Sequence, residues 1–123
     1  PVVPGSRSDD GLLTYALDAQ GPHAVYRLQR GETLYTHVVL RFTGLLSGKD
    51  VNDAARRFAA RSRITDVTNI AVGTAVRIPL PDLVPVYLPA GHPRRVAWQQ
   101  EQAETTRLAR REKRQGLDEL ATP

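Results

Sequence analysis

Leu34, Val38 and Phe42 recur at i, i+4 and i+8, with Tyr35 and Val39 beside them. That spacing lays an apolar stripe along one face of a helix. It predicts a first helix beginning at Leu34, with Thr33 as its N-cap and Gly44 as its stop. Val38 and Val39 are β-branched and slightly weaken a helix, so burial of the stripe has to hold it. Ser47 to Asp50 fits a capping-box pattern ahead of a second helix. There Val51, Ala54, Ala55, Phe58 and Ala59 share one face, and Asn52, Asp53, Arg56, Arg57 and Arg61 share the other. The alanines keep the packed face thin and allow close approach of a neighbouring helix. This helix is expected to end near Ser62.

Two strands bracket the helices. Ala24 to Leu28 contains the β-favouring Val25 and Tyr26 and is ended by Gly31. Ala75 to Ile78 forms the second, stopped by Pro79. Before them, Pro1 to Asp10 is rich in Pro, Gly, Ser and Asp and is expected to be flexible. Leu12 to Leu17 has the composition of a short strand, broken by Gly21-Pro22. After them, prolines at 81, 85, 89 and 93 force an extended path. Leu83, Val84, Val86, Tyr87 and Leu88 give that path the character of a strap lying on the domain. Pro93 suits the first turn of a third helix, expected from about Arg94 to Gln115 and stopped at Gly116. Its apolar positions (Val96, Trp98, Ala103, Leu108) make only a patchy stripe, as in a helix exposed to solvent or awaiting a partner. The expected architecture is α+β: two short antiparallel strands, two helices packed on one face, and a charged C-terminal helix. It divides into a flexible segment (1–23), a βααβ module (24–80), a proline-rich strap (81–93) and a helix with tail (94–123).

Composition narrows the chemistry. A chain of 123 residues, 41% hydrophobic and without cysteine, builds a modest core with no disulfide or cysteine-zinc staple. No apolar run approaches the ~20 residues needed to span a bilayer. The chain begins at Pro1, contains no methionine and shows no signal-peptide pattern, as expected of a segment processed from a longer product. The net charge is +4. Residues 1–90 hold ten Lys/Arg against eight Asp/Glu, and residues 91–123 hold seven against five. Such a balance favours polyanions without choosing among them. Arg107, Arg110, Arg111, Lys113 and Arg114 form a basic cluster, but Glu101, Glu104 and Glu112 are interleaved and no aromatic platform accompanies it. A solvated helix face fits that pattern better than a nucleic-acid contact. His23, His37 and His92 lie far apart in sequence and lack acidic neighbours, so neither a metal nor another cofactor is expected. His37 falls opposite the apolar stripe and is expected to be simply exposed. Tyr26, Tyr35 and Phe42 are expected in the core, and Trp98 is expected to dock the third helix.

The segment Val25-Tyr26-Arg27-Leu28-Gln29-Arg30-Gly31-Glu32-Thr33-Leu34-Tyr35 resembles the opening of a LysM domain, where an aromatic strand residue leads through a Gly-Asp/Glu-Thr-Leu turn into the first helix. The stretch Ile70-Ala71-Val72-Gly73-Thr74-Ala75-Val76-Arg77-Ile78-Pro79 is similar to that family's close. The likeness covers Tyr26 to Pro79, about half the chain. Between Phe42 and Ile70 the chain is longer than is usual in the family. The asparagine common at the end of the family's second helix is absent, with Ser62 or Arg63 near its place, and Val72 replaces a frequent proline. The strap together with Leu-Pro-Ala-Gly-His-Pro-Arg-Arg (88–95) is similar to the region ahead of zinc-dependent N-acetylmuramoyl-L-alanine amidase domains.

The resemblance implies a LysM-like βααβ fold and a noncatalytic module. Its ligand would be peptidoglycan or a related N-acetylglucosamine glycan, and it would anchor a wall-remodelling enzyme or scaffold in a bacterial cell envelope, periplasmic or extracellular. Glycan would lie between the first strand-helix turn and the loop before the closing strand. Arg30 and Glu32 would form a polar rim around Gly31, with Thr33 beside them. Leu34 or Ile70 would supply the apolar wall, and Asp66, Thr68 and Asn69 would supply hydrogen bonds. The Asp66 to Asn69 loop is explicable as turn chemistry alone. Two other readings remain: an adaptor that engages a protein through the C-terminal helix, and nucleic-acid binding through the basic helices.

Overall fold

In the computed structural model, residues 2–121 are described, apart from the side chains of Asp118, Glu119 and Ala121. Pro1, which opens the segment expected to be flexible, and Thr122 and Pro123, which end the charged tail, lie outside the described residues. The chain forms two compact units, residues 1–89 and residues 90–123.

The first unit is built on a three-stranded antiparallel sheet in the order β1-β2-β3, with β1 (Thr14–Asp18), β2 (Gly21–Arg27) and β3 (Ala75–Pro79). The expectation of two strands is thereby corrected. Gly21-Pro22 does not end a strand; it opens β2 directly after a tight hairpin in which Asp18 opposes Gly21. The Asp18 carboxylate accepts from Gln20 N–H at 2.8 Å and holds that turn. Pro79 does close the second expected strand, as its last residue, paired with His23.

The N-terminal segment, expected to be flexible, is laid along β1. Gly5 N–H donates to Tyr15 C=O, Tyr15 N–H to Ser6 C=O, and Ser8 N–H to Leu13 C=O. Ser8 is buried, and its hydroxyl accepts from Leu13 N–H at 3.0 Å.

Between β2 and β3 run two helices. The first, α1, is a π-helix over Leu34–Leu40 that closes with an α-helical turn over Arg41–Thr43 and ends at Gly44 in the left-handed conformation. Leu34, Val38, Val39 and Phe42 are all fully buried, as their spacing predicts. The second, α2 (Gly48–Ser62), is capped by Ser47, whose hydroxyl accepts from Asp50 N–H at 3.2 Å. It buries the predicted face of Val51, Ala54, Ala55, Phe58 and Ala59.

The core also takes Leu13 and Tyr15 from β1 and its approach, Tyr26 from β2, Val76 and Ile78 from β3, and Leu80, Leu83 and Leu88 from the strap. The strap is therefore an integral layer of the unit. It folds as two single 3₁₀ turns, Leu80–Asp82 and Pro85–Tyr87. Val84 N–H donates to Phe42 C=O at 2.9 Å, and the Tyr87 ring packs edge-on against Phe42 with centroids 4.7 Å apart. The Tyr87 hydroxyl reaches Asp10 at 2.9 Å, tying the strap to the N-terminal segment.

The second unit is dominated by α3 (Pro93–Ala121). This helix passes through Gly116, where a stop was expected, and residues 101–115 are exposed throughout. Glycine costs an exposed helix only about 1 kcal/mol relative to alanine, so it does not compel an end. Trp98 is half-buried on α3. No helix among the described residues is long and apolar enough to cross a membrane.

Candidate functional site

The turn from β2 into α1 is organised by Glu32. Its carboxylate accepts from the Tyr26 hydroxyl, from Gln29 N–H at 2.8 Å and from the Arg41 guanidinium at 2.8 Å. Arg41 in turn stacks over the Tyr26 ring at 5.1 Å and the Phe42 ring at 5.2 Å. The Glu32 side chain is 14% exposed. Desolvation pushes its carboxyl up, but the Tyr26, Gln29 and Arg41 bonds outweigh it and hold the group below the ordinary carboxylate range. Glu32 is thus a structural anchor whose edge reaches the surface.

Thr33 caps α1 through its hydroxyl, which accepts from Thr36 N–H at 3.2 Å, while its own N–H donates to His37 Nδ1 at 2.9 Å. His37 closes a reciprocal cap one residue later than a capping box would place it. The expectation of a merely exposed histidine is corrected.

On the other side, the loop after α2 is held by Asp66. Its carboxylate accepts from Thr68 N–H at 3.0 Å and from the Thr68 hydroxyl at 2.6 Å. These bonds lower the Asp66 pKa, more than offsetting a small desolvation. The turn chemistry allowed for this loop is present. It leaves the Asn69 side-chain amide without a hydrogen bond in the described structure.

These two segments face each other across an open groove of about 320 Å³ lined by Glu32, Thr33, Tyr35, Val67, Thr68, Asn69 and Ile70. Five of the nine residues picked from the sequence meet here: Glu32, Thr33, Thr68, Asn69 and Ile70. Asp66 lines an adjoining depression, which shares Asn69 and Ile70 with the groove. Arg30 and Gly31 are exposed on the turn outside the lining. Leu34 is fully buried in the core and presents no wall, because the first turn of α1 points it inward. Tyr35 and Val67 were missed. Tyr35, expected in the core, is half-buried and forms part of the apolar wall with Ile70.

A second polar cluster pins the β1–β2 hairpin to α2. Arg61 Nη2 donates to Asp18 at 3.1 Å and to Gly21 C=O at 3.0 Å, and it lies 3.2 Å from Nδ1 of the buried His23, which is itself 3.1 Å from Gly21 C=O. Asp18 lies 3.8 Å from His23, which corrects the expectation that no acidic group stands near a histidine. Arg61 fills the space between them. Among the described residues, no three His, Cys, Asp or Glu side chains gather as a metal site. On α3, Arg107 is paired with Glu104, which partly neutralises the basic cluster.

No family model matches the chain, and no curated protein or solved structure matches it either.

Proposed function

We propose that the groove between the Glu32–Thr33 turn and the Thr68–Ile70 loop binds an N-acetylated glycan of the peptidoglycan type, and that the chain is a noncatalytic anchoring module for a wall-remodelling enzyme or scaffold of the bacterial cell envelope. The observation that carries this reading is the meeting of two segments more than thirty residues apart in one shallow groove. An N-acetyl group needs an apolar surface for its methyl and a donor for its carbonyl. Tyr35, Val67 and Ile70 offer the first, and the Asn69 amide, free of internal bonds, offers the second. The order β2-α1-α2-β3 supports a LysM-like reading of the module, with β1 and the Gly5–Ser8 strip added at the edge. So open a groove makes few polar contacts, each contributing about 1 kcal/mol. A single module binds weakly, and several on one chain gain by avidity.

Co-sedimentation with insoluble peptidoglycan and with chitin tests the reading. Retention above that of an unrelated folded protein is expected, and its absence overturns the proposal. Asn69→Ala is expected to weaken retention about fivefold without changing the melting temperature, by loss of one hydrogen bond.

A further inference from the structure

The groove does not end at Ile70. Its neighbour, about 220 Å³, shares Asn69 and Ile70 with it and continues along Arg63 to Asp66, Ala71 and Thr74. A third depression of about 330 Å³ shares Arg63 and Thr74 with the second and ends at Ser62, Ala75 and Arg77. Through these shared residues the three depressions follow one another, from Glu32 in the first to Arg63 and Arg77 in the third. The far end is basic. Arg63 carries no hydrogen bond or ion pair on its guanidinium among the described residues. Arg77 is 44% exposed, with Nη1 3.5 Å from an Asp18 carboxylate that Arg61 already engages.

The backbone at Arg63 is the second observation. It sits at φ 59° and ψ 37°, the left-handed position that ends α2, and is the one non-glycine residue with positive φ among the described residues. Glycine takes that conformation without penalty, whereas a side chain with a Cβ is strained there. Arg63 thus holds an unfavourable backbone at a position that lines both the second and third depressions.

We propose that Arg63, with Arg77, is a carboxylate-reading subsite in the third depression, so that the preferred ligand is an acidic N-acetylated glycan over a neutral one. This rests on the glycan reading above. Asp66 lines the middle depression together with Arg63, whereas no acid lines the third, so a ligand carboxylate is placed in the third, with Arg63 and Arg77. The carboxylate belongs either to a peptide attached to the sugar or to an acidic substituent on the sugar itself, and both present the same chemistry to a guanidinium.

The test compares the intact chain with Arg63→Gly on three probes: peptidoglycan bearing its peptides, glycan strands stripped of peptide by amidase so that the lactyl carboxylate is free, and neutral chitin oligomers. Arg63→Gly is expected to melt at the same temperature or higher. Its retention on carboxylate-bearing probes should fall about tenfold, while binding to chitin oligomers is unchanged. Loss on peptide-bearing material alone assigns the carboxylate to the peptide; loss on stripped strands assigns it to the sugar. Arg77→Gln is expected to weaken the same probes. Equal effects of Arg63→Gly on acidic and neutral probes, or no effect on either, overturn the subsite while leaving the glycan reading intact. Failure of the unaltered chain to bind any of the three overturns both.

Discussion

The Tyr26 hydroxyl donates to the Glu32 carboxylate across the turn that joins β2 to α1, and Arg41, nine residues beyond Glu32, closes the other side of the same carboxylate. One acid therefore fixes a strand end, a turn and a helix. Glu32→Gln removes the charge from this set and is expected to cost about 1–2 kcal/mol in denaturant unfolding.

The same residue gives a pH dependence. Its folded-state pKa lies below the ordinary value of 4.5, so its stabilisation is fully present above that value and is lost as pH falls through the lower folded one. Melts taken from about pH 3 to about pH 7 should show a steeper acid-side fall in the unaltered chain than in Glu32→Gln. Parallel curves would remove Glu32 from the account.

Gly44 and Gly31 both have positive φ, but their surroundings differ. A Cβ on Gly44 would meet Val84 Cγ1 at 3.0 Å, whereas nothing lies within 4 Å of one on Gly31. Gly31→Ala is expected to cost about 1 kcal/mol from the backbone alone. Gly44→Ala should cost about 2 kcal/mol, since the strap must also shift. Urea midpoints of the two variants check the order.

Removal of residues 1–8 deletes the backbone hydrogen bonds that Gly5, Ser6 and Ser8 share with Leu13 and Tyr15. A loss of about 2–3 kcal/mol is expected, near 1 kcal/mol for each bond. An unchanged melting temperature would mean that this strip contributes nothing to the fold.

A chain cut after Pro89 keeps the whole buried cluster, whose last member is Leu88. It is expected to melt cooperatively and to retain glycan binding. Loss of glycan binding on this truncation would move that binding out of the groove and onto the 90–123 unit.

How much of this was readable beforehand depends on the range of the interactions. The stripe Leu34, Val38, Phe42 and the buried face of α2 follow from helical spacing, and the Ser47 cap follows from local chemistry; all are where the sequence puts them. The strip Gly5–Ser8 escaped because its composition is that of a linker, and its order comes from β1, a partner that no local pattern names. A glutamate after a glycine carries no sign of the Tyr26 and Arg41 that bind the Glu32 carboxylate. Leu34 was assigned to both a core stripe and a ligand wall, and helix geometry allows only the first. Thr33 and His37 stand four apart, a spacing that gives a cap only once the first turn of α1 is seen to be widened. The two sides of the groove are legible as residues, but the depressions beyond it share Arg63, whose left-handed backbone no local pattern announces.

A three-stranded sheet normally offers two open margins to any neighbouring chain, and such margins invite aggregation and strand exchange. Here the β1 margin is occupied by the Gly5–Ser8 strip. On the β3 margin, the Arg77 N–H is taken by the Ser62 hydroxyl at 2.8 Å, and Pro79, two residues on, has no N–H to offer. Copies of this unit crowded together, whether strung on one polypeptide or packed on one surface, therefore have little means of zipping into each other.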